Sequence, residues 1–236
     1  MNTIKIINDD KEIKQDEKSA LYINVFGEAP RNEGYKCTTC EKLFSLSTVV
    51  NNSLEKCLCS GDLKKVYDKE QIKKERADQA NKSGYMWRLA ETLDSKLIGF
   101  MSWRVDNIAT VNTEKFLLPE DQLSLVKQGT KNIYPDFDFE NTFYAAEMVI
   151  DQTRRGQWIA SKLFNDVIEN AKKSGYTDVI LSTTTKEWWP FKWFERLWYK
   201  VVFKYNDEND RVIMVKKSQS SNNESEKEWE YILWLA

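Results

Sequence analysis

The chain has 236 residues, of which 41% are hydrophobic and 31% charged, and 35 basic against 37 acidic side chains give a net charge of −2. This length allows one large domain, or one domain plus a small appendage, and the absence of a basic excess argues against a nucleic-acid-binding protein. Histidine is absent, which excludes Ser-His-Asp and Cys-His nucleophile systems and any imidazole general base.

The N-terminal third is predicted to contain a strand and two helices. Thr3–Ile7 is a short β-branched run typical of a strand, and Ala20–Phe26 is typical of a helix. The charged segment Asp62–Ala80 (DLKKVYDKEQIKKERADQA) predicts a largely solvent-facing helix with Asp62 as its N-cap.

A hairpin and an insertion follow. Met86–Glu91 and Leu97–Val105 are strand-like runs on either side of a turn, which predicts an antiparallel hairpin. Residues 107–140 are polar and aperiodic, so we expect an inserted loop in which Pro119–Lys127 forms a short helix.

The next segment predicts a βαβ unit. Phe143–Ile150 is strand-like, apolar residues recur at helical spacing after Gly156, Gly175 ends that helix, and Thr177–Thr184 is a second strand. A strand, a helix and a strand in this order indicate a parallel pair with a right-handed crossover.

The C-terminal part predicts an aromatic helix after Pro190 and a second hairpin, Val201–Tyr205 with Arg211–Lys216. The fold class expected is therefore α/β with a mixed, partly antiparallel sheet flanked by helices, over residues 1–217. Residues 218–236 are expected to be a polar linker with an apolar end. The tryptophan-rich helix is typical of core packing and of a dimer face, so a homodimer is one expectation.

The loop from Arg154 to Ala160 (RRGQWIA) opens a helix directly after a strand. Free backbone N–H groups and the helix dipole converge there, which favours a pyrophosphate site. An ordinary surface loop that caps a crossover helix would leave the same pattern, so this alternative stays open.

The order of the elements resembles the GNAT-type N-acetyltransferases. Arg155 and Ala160 match that family's pyrophosphate loop, with Trp158 at the middle position of the pattern, and WFERLWY at 193–199 is similar to its "FYEKLGF" helix end. Trp158 and Trp198 stand where the family pattern has glycine, and Phe194 stands where it has tyrosine.

The resemblance implies an N-acetyltransferase in which an amine, of a small molecule or a protein, directly attacks the thioester of acetyl-coenzyme A. It implies that the pantetheine arm pairs with strand backbone and that a strand N–H near Val149 polarises the thioester carbonyl. The cofactor-binding residues implied are Met148, Val149 and Ile150 on the strand and Arg155, Gly156, Gln157, Trp158, Ile159 and Ala160 in the loop.

Two residues are candidates for proton transfer in that reaction. Glu147 lies on the same strand and could serve as the general base, because no histidine is present. Tyr199 could carry a proton through water. An ion-paired strand glutamate and a core aromatic residue are the alternatives for the two positions.

Cys37, Cys40, Cys57 and Cys59 are the four cysteines of the chain, in a C-x2-C and a C-x-C pair. Four thiolates in a short span suit a structural zinc ion, held in an insertion over residues 37–59. Reduced buried thiols and a redox pair are the alternatives.

Two further functions compete with acetyl transfer: a non-catalytic acyl-coenzyme A-binding module and a zinc-stapled protein-interaction module. The N-terminus is polar and acidic, unlike a secretion signal, and no apolar run approaches the ~18 residues of a membrane span. We therefore expect a cytoplasmic protein that binds acetyl-coenzyme A and an amine, with no nucleic-acid or membrane partner.

Overall fold

The computed structural model describes residues 4–8, 14–28, 32–81, 85–186, 188–206 and 210–217. The strands are β1 (Lys5–Asn8), β2 (Tyr35–Cys37), β3 (Leu43–Phe44), β4 (Leu63–Lys65), β5 (Tyr85–Glu91), β6 (Leu97–Asp106), β7 (Thr142–Ile150), β8 (Asp178–Thr184), β9 (Lys200–Lys204) and β10 (Arg211–Lys217). The helices are α1 (Gln15–Phe26), α2 (Leu46–Asn51), α3 (Lys69–Asn81), α4 (Ile108–Val111), α5 (Glu120–Ile133), α6 (Ile159–Lys173) and α7 (Trp188–Arg196), with a π-helical turn at Asn112–Phe116 and a 3-10 turn at Gln152–Arg154.

Within the described ranges, the main sheet has seven strands in the order β1-β5-β6-β7-β8-β10-β9. β7 and β8 are parallel, whereas β5 pairs antiparallel with β1 and β6, and β10 pairs antiparallel with β8 and β9. The expected mixed α/β class, the βαβ unit and both hairpins are therefore confirmed. A second sheet of three short strands has the order β3-β2-β4.

Two compact units divide the chain, and the first comprises Met1–Arg104 and Ala146–Ile168. In its core, Leu21 and Val25 of α1 pack with Trp87 and Phe100 of the hairpin and with Val149 of β7. Side chains of β5 alternate between the two faces of the sheet, and the apolar set turned to this core is buried.

The second unit comprises Val105–Ala145 and Glu169–Ala236. The short helix expected at Pro119–Lys127 is present as α5, which continues to Ile133. The expectation of a loop within residues 107–140 is wrong over residues 108–116, where α4 and the π-helical turn lie. Leu123 and Val126 on one face of α5 are buried, and a Cβ at Gly129 would lie 2.9 Å from the carbonyl oxygen of Val202. The helix therefore packs closely against β9.

The prediction of one helix over Asp62–Ala80 is also wrong at its N-terminal end. Leu63–Lys65 forms β4, which pairs with β2, so Asp62 is not the N-cap. The helix begins at Lys69, and Asp68 caps it by accepting a hydrogen bond of 2.9 Å from the Gln71 N–H.

No helix within the described ranges combines the length and the apolarity needed to cross a lipid bilayer. The polar linker and apolar end expected over 218–236 lie outside the described residues, and the extent of the 1–217 domain stays a prediction.

Candidate functional site

The C-terminal half of β7 carries four of the predicted site residues, Glu147 to Ile150. Hydrogen bonding of β7 with β8 joins Phe143–Ala145 to Val179–Leu181; within the described strands it ends at Ala145, although β7 continues to Ile150. Val149 is fully buried, whereas Glu147, Met148 and Ile150 are half-buried.

Gly99 on β6 allows a close approach to this half of β7. A Cβ at Gly99 would lie 2.8 Å from Cδ1 of Ile150 and 3.1 Å from the carbonyl oxygen of Val149. A Cβ there would require the end of the Ile150 side chain and the Val149 carbonyl to shift, so glycine at position 99 favours this close approach of β6 and β7.

The predicted pyrophosphate loop follows β7 through a tight turn. The Asp151 side chain accepts hydrogen bonds from the N–H and hydroxyl of Thr153, at 2.9 and 2.8 Å. The Arg155 N–H donates to the Gln152 carbonyl at 3.3 Å. The backbone N–H of Arg155 is therefore already used within the turn.

The remaining loop residues lead into the first turn of α6. Gly156 has a φ of 77°, and a Cβ placed on it would meet nothing within 4 Å, so its surroundings are open. The Lys162 N–H donates to the Trp158 carbonyl at 3.0 Å, and the N–H groups of Ile159, Ala160 and Ser161 precede this first helical bond. Such N–H groups have no intrahelical acceptor, and Ser161 is one that the sequence analysis did not include.

Trp158 adopts a left-handed backbone conformation with a φ of 63°. A bulky side chain rarely occupies this region, which glycine enters freely. The position that matches glycine in the resembled loop thus keeps the backbone geometry typical of glycine while carrying an indole.

Glu147 is ion-paired with Arg76 of α3. Nη2 of Arg76 lies 2.9 Å from Oε1 of Glu147, and Nη1 donates to Oε2. The Arg76 side chain is 6% exposed and that of Glu147 is 19% exposed. Both terminal nitrogens of the buried Arg76 side chain therefore contact the predicted base. Arg76 is not among the residues predicted from the sequence.

An aromatic cluster surrounds this ion pair. The guanidinium carbon of Arg76 lies 4.3 Å from the ring centre of Tyr22, and the Tyr22 ring contacts Tyr67 edge-on at 5.3 Å. Burial and the Glu147 charge, opposed by the Arg76 charge, together raise the pKa of Tyr22 to about 12. Burial and a hydrogen bond to Glu33 raise the pKa of Tyr67, so both phenols stay protonated at neutral pH.

Tyr199 belongs to the second unit, directly after the C-terminal turn of α7. Its side chain is buried, and its ring contacts Phe194 at 5.4 Å between centroids. Burial raises the pKa of Tyr199, so its phenol is protonated at neutral pH and gives up that proton less readily than an exposed phenol does. Its catalytic role stays a prediction, as does that of Glu147.

The four cysteines meet at one point of the three-stranded sheet. Their Sγ atoms all lie within 4.8 Å of one another, with Cys37 and Cys59 at 3.4 Å and Cys40 and Cys57 at 3.6 Å. The N–H groups of Cys40 and Thr39 point at Sγ of Cys37, at 3.5 and 3.4 Å, and lower the pKa of this thiol to about 6. Four sulfurs at 2.3 Å from a tetrahedral zinc ion would be roughly 3.8 Å apart, so this donor set fits zinc.

Comparisons with solved structures identify the fold. No protein-family model matches the sequence, and no curated protein matches it significantly. Among solved structures, a protein from Desulfovibrio desulfuricans described as a GNAT-family acetyltransferase superposes with a TM-score of 0.52 at 10% identity, over 91% of this chain and 99% of that one. A GNAT-family acetyltransferase from Streptococcus pneumoniae superposes at 0.50 and 13% identity, over 92% and 100%. The NatC complex bound to Gag peptide and CoA gives 0.50 at 12% identity, over 93% and 100%.

These similarities confirm that the chain has the fold of the GNAT acetyltransferases, as its order of elements predicts. At identities of this size the likeness concerns the fold alone.

Proposed function

We propose that this chain is an N-acetyltransferase that transfers an acetyl group from acetyl-coenzyme A to an amine. The observation that carries the proposal is the junction of β7 with α6 on a GNAT fold. An open glycine and a helix first turn whose N–H groups have no acceptor within the helix follow a strand whose described pairing with β8 ends before the strand does.

Each part of this junction matches a part of the ligand. The N–H groups of Ile159 and Ala160 and the positive end of the α6 dipole suit a diphosphate. The peptide groups of β7 beyond Ala145 suit the amide groups of a pantetheine arm, and the Val149 N–H is the candidate that would polarise the thioester carbonyl.

The reaction requires one proton acceptor and one proton donor. Glu147 takes a proton from the ammonium form of the acceptor, and the neutral nitrogen attacks the thioester carbon to give a tetrahedral oxyanion. The attacking nitrogen carries a positive charge in this intermediate, which then collapses as the C–S bond breaks. The nitrogen loses its second proton, and the thiolate of coenzyme A takes up one proton, either through water or from Tyr199, whose phenol the nitrogen proton then restores. Glu147 releases its own proton to solvent. The products are the acetylated amine and free coenzyme A.

The acceptor is an amine on a small molecule or a protein. The NatC complex, which has the same fold, binds a peptide together with CoA. A panel of acceptors should therefore contain short peptides with a free N-terminus, lysine and polyamines.

Calorimetry with acetyl-coenzyme A, free coenzyme A and ATP tests the binding step. Release of free thiol with the amine panel tests transfer. We expect micromolar binding that requires the pantetheine arm, with ATP much weaker. An absence of binding at millimolar acetyl-coenzyme A would refute the proposal.

Acyl-coenzyme A binding without transfer is the second candidate. Phe194 favours it, because this side chain has no hydroxyl at the position where the resembled helix end carries a proton donor. Binding without thiol release for any amine would support this second function.

We also propose that Cys37, Cys40, Cys57 and Cys59 hold a structural zinc ion. All four positions of a tetrahedral ion would be filled by sulfur, so the ion would have no open position for catalysis. Its role would be to stabilise the three-stranded sheet, in which few apolar side chains are buried.

A further inference from the structure

We propose that Arg76 is a positioning residue that holds the Glu147 carboxylate in the orientation needed to accept a proton from the acceptor amine. This inference rests on the proposed acetyl transfer and adds to it a residue from α3, which the sequence gives no reason to connect with β7.

Arg76 and Glu147 form an ion pair with two hydrogen bonds. Both terminal nitrogens of Arg76 bind the carboxylate, one oxygen each. Two parallel hydrogen bonds fix the plane of a carboxylate, whereas one bond leaves it free to rotate. The orientation of Glu147 is therefore set by Arg76.

Three aromatic rings hold the Arg76 guanidinium in place. Its guanidinium carbon lies 4.3 Å from the ring centre of Tyr22, and the rings of Phe100 and Trp87 are at 5.6 and 5.7 Å. A planar guanidinium that contacts three aromatic rings has little freedom to swing away. The aromatic rings therefore hold Arg76 in place, and Arg76 in turn holds Glu147.

The ion pair with Arg76 leaves some acceptor sites of the Glu147 carboxylate available. An ionised carboxylate offers about four lone-pair sites, and two N–H groups of Arg76 use two of them. The Glu147 side chain remains 19% exposed while that of Arg76 is only 6% exposed. The carboxylate can therefore accept a hydrogen bond from an ammonium group on its open side while Arg76 holds the other.

A purely stabilising role is the competing explanation, and the chain offers a matched control for it. Nε of Arg88 on β5 lies 2.6 Å from Oδ2 of Asp166, with the arginine side chain 15% exposed. Its guanidinium lies 5.3 Å from the ring centre of Trp103. Arg88 is thus a second half-hidden, ion-paired and stacked arginine of the same unit, and it does not contact Glu147.

The experiment compares R76Q, R76K, R88Q and R88K in the full chain. Thiol release gives kcat and KM, calorimetry gives the Kd for acetyl-coenzyme A, and thermal unfolding gives the folded fraction. For R76Q we expect kcat per folded molecule to fall about 10- to 100-fold, because small misplacements of a reacting group cost rate on this scale. The Kd should change less than about threefold. R76K should recover part of the rate, because its ammonium group restores the positive charge but not the two parallel hydrogen bonds of the guanidinium.

A double-mutant cycle separates positioning from independent effects. If Arg76 acts through Glu147, R76Q/E147Q should be no slower than E147Q alone. Losses that multiply, or an R76Q rate equal to that of R88Q, would overturn the inference. If R76Q does not fold, R76K against R88K decides in the same way.

Failure of the proposed function has a different signature. No thiol release from the unmodified chain overturns acetyl transfer and this inference together. Normal turnover of the unmodified chain with an unchanged R76Q rate overturns the role of Arg76 alone.

Discussion

Trp158 and Trp198 share a left-handed backbone conformation, with φ angles of 63° and 66°. Each stands where the resembled pattern has glycine, one before α6 and one after α7. The left-handed region costs an L-residue with a side chain roughly 1–2 kcal/mol. Both positions thus keep a backbone conformation typical of glycine, and that conformation is strained for tryptophan.

The strain at Trp198 predicts a stabilising substitution. The Trp198 N–H donates to the Glu195 carbonyl and the Tyr199 N–H to the Phe194 carbonyl, at 3.0 and 3.1 Å, which is the Schellman pattern that glycine favours. The Trp198 side chain is largely exposed, so little packing is lost. We expect W198G to raise the free energy of unfolding by about 1 kcal/mol, measured by urea denaturation.

The end of α6 supplies the matched control. Gly175, with a φ of 86°, occupies the same position of the same motif, and a Cβ on it would meet nothing within 4 Å. G175A should therefore destabilise the chain by about 1 kcal/mol through the backbone alone. An equal gain for W198A and W198G would show that strain is not the cause.

Trp158 predicts an effect on ligand binding. Trp158 lies in the chain between the open Gly156 and the first turn of α6, at the proposed diphosphate site. Glycine there would let the anion come closer, so we expect W158G to tighten acetyl-coenzyme A binding about 10-fold, or ~1.4 kcal/mol. Calorimetry measures the change, with W198G as the variant whose affinity should not move. Weaker binding by W158G would mean that the indole itself contacts the ligand.

The elements that the sequence predicts well are those with long, regular patterns. Leu163, Val167 and Ala171 recur along α6 and are all buried, and this periodicity, between two apolar runs, is enough to predict the βαβ unit. The strands around the cysteines have only two or three residues, too few to show an alternation. They were therefore not predicted.

The contact between Arg76 and Glu147 could not be predicted for a different reason. The two residues are 71 positions apart, and Arg76 is one of many charged residues in a helix whose composition indicates exposure to solvent. Only Arg76 and Ile72 of that helix are buried among its described side chains. Which charge of such a helix turns inward is decided by the tertiary packing and not by the local pattern.

The position of Gly61 allows a test of the proposed metal site. A Cβ on this residue would lie 2.5 Å from Oγ1 of Thr39 and 2.7 Å from Sγ of Cys37, so G61A would displace the sulfur of a proposed zinc ligand. We expect the native chain to hold one zinc ion and G61A to bind it at least 10-fold more weakly, measured by competition with a chromogenic chelator. L58A is the control, because Leu58 lies between two of the cysteines yet is fully exposed. Equal zinc affinity of G61A and L58A would contradict the four-sulfur site.

Asp178 predicts how the stability of the second unit depends on pH. Burial raises its pKa above the usual 3.8, although its Oδ2 accepts the Asp138 N–H at 3.0 Å and Lys217 lies 3.8 Å from Oδ1. A raised pKa in the folded state means that the carboxyl stabilises the fold below pH 3.8 and that this contribution is lost as the pH rises through the folded value.

An amide at position 178 should remove that loss. Asn keeps an acceptor for the Asp138 N–H, and Lys217 keeps Asp136, 2.7 Å away. We therefore expect D178N to be more stable than the native chain at pH 7, with the difference shrinking toward pH 4, in urea titrations at both pH values. D138N should behave in the opposite way, because hydrogen bonds from the Asn141 side chain and the Glu140 N–H lower the pKa of Asp138, so its ionised form stabilises the fold at neutral pH. A D178N difference that does not change with pH would mean that the ionisation of Asp178 is not coupled to folding.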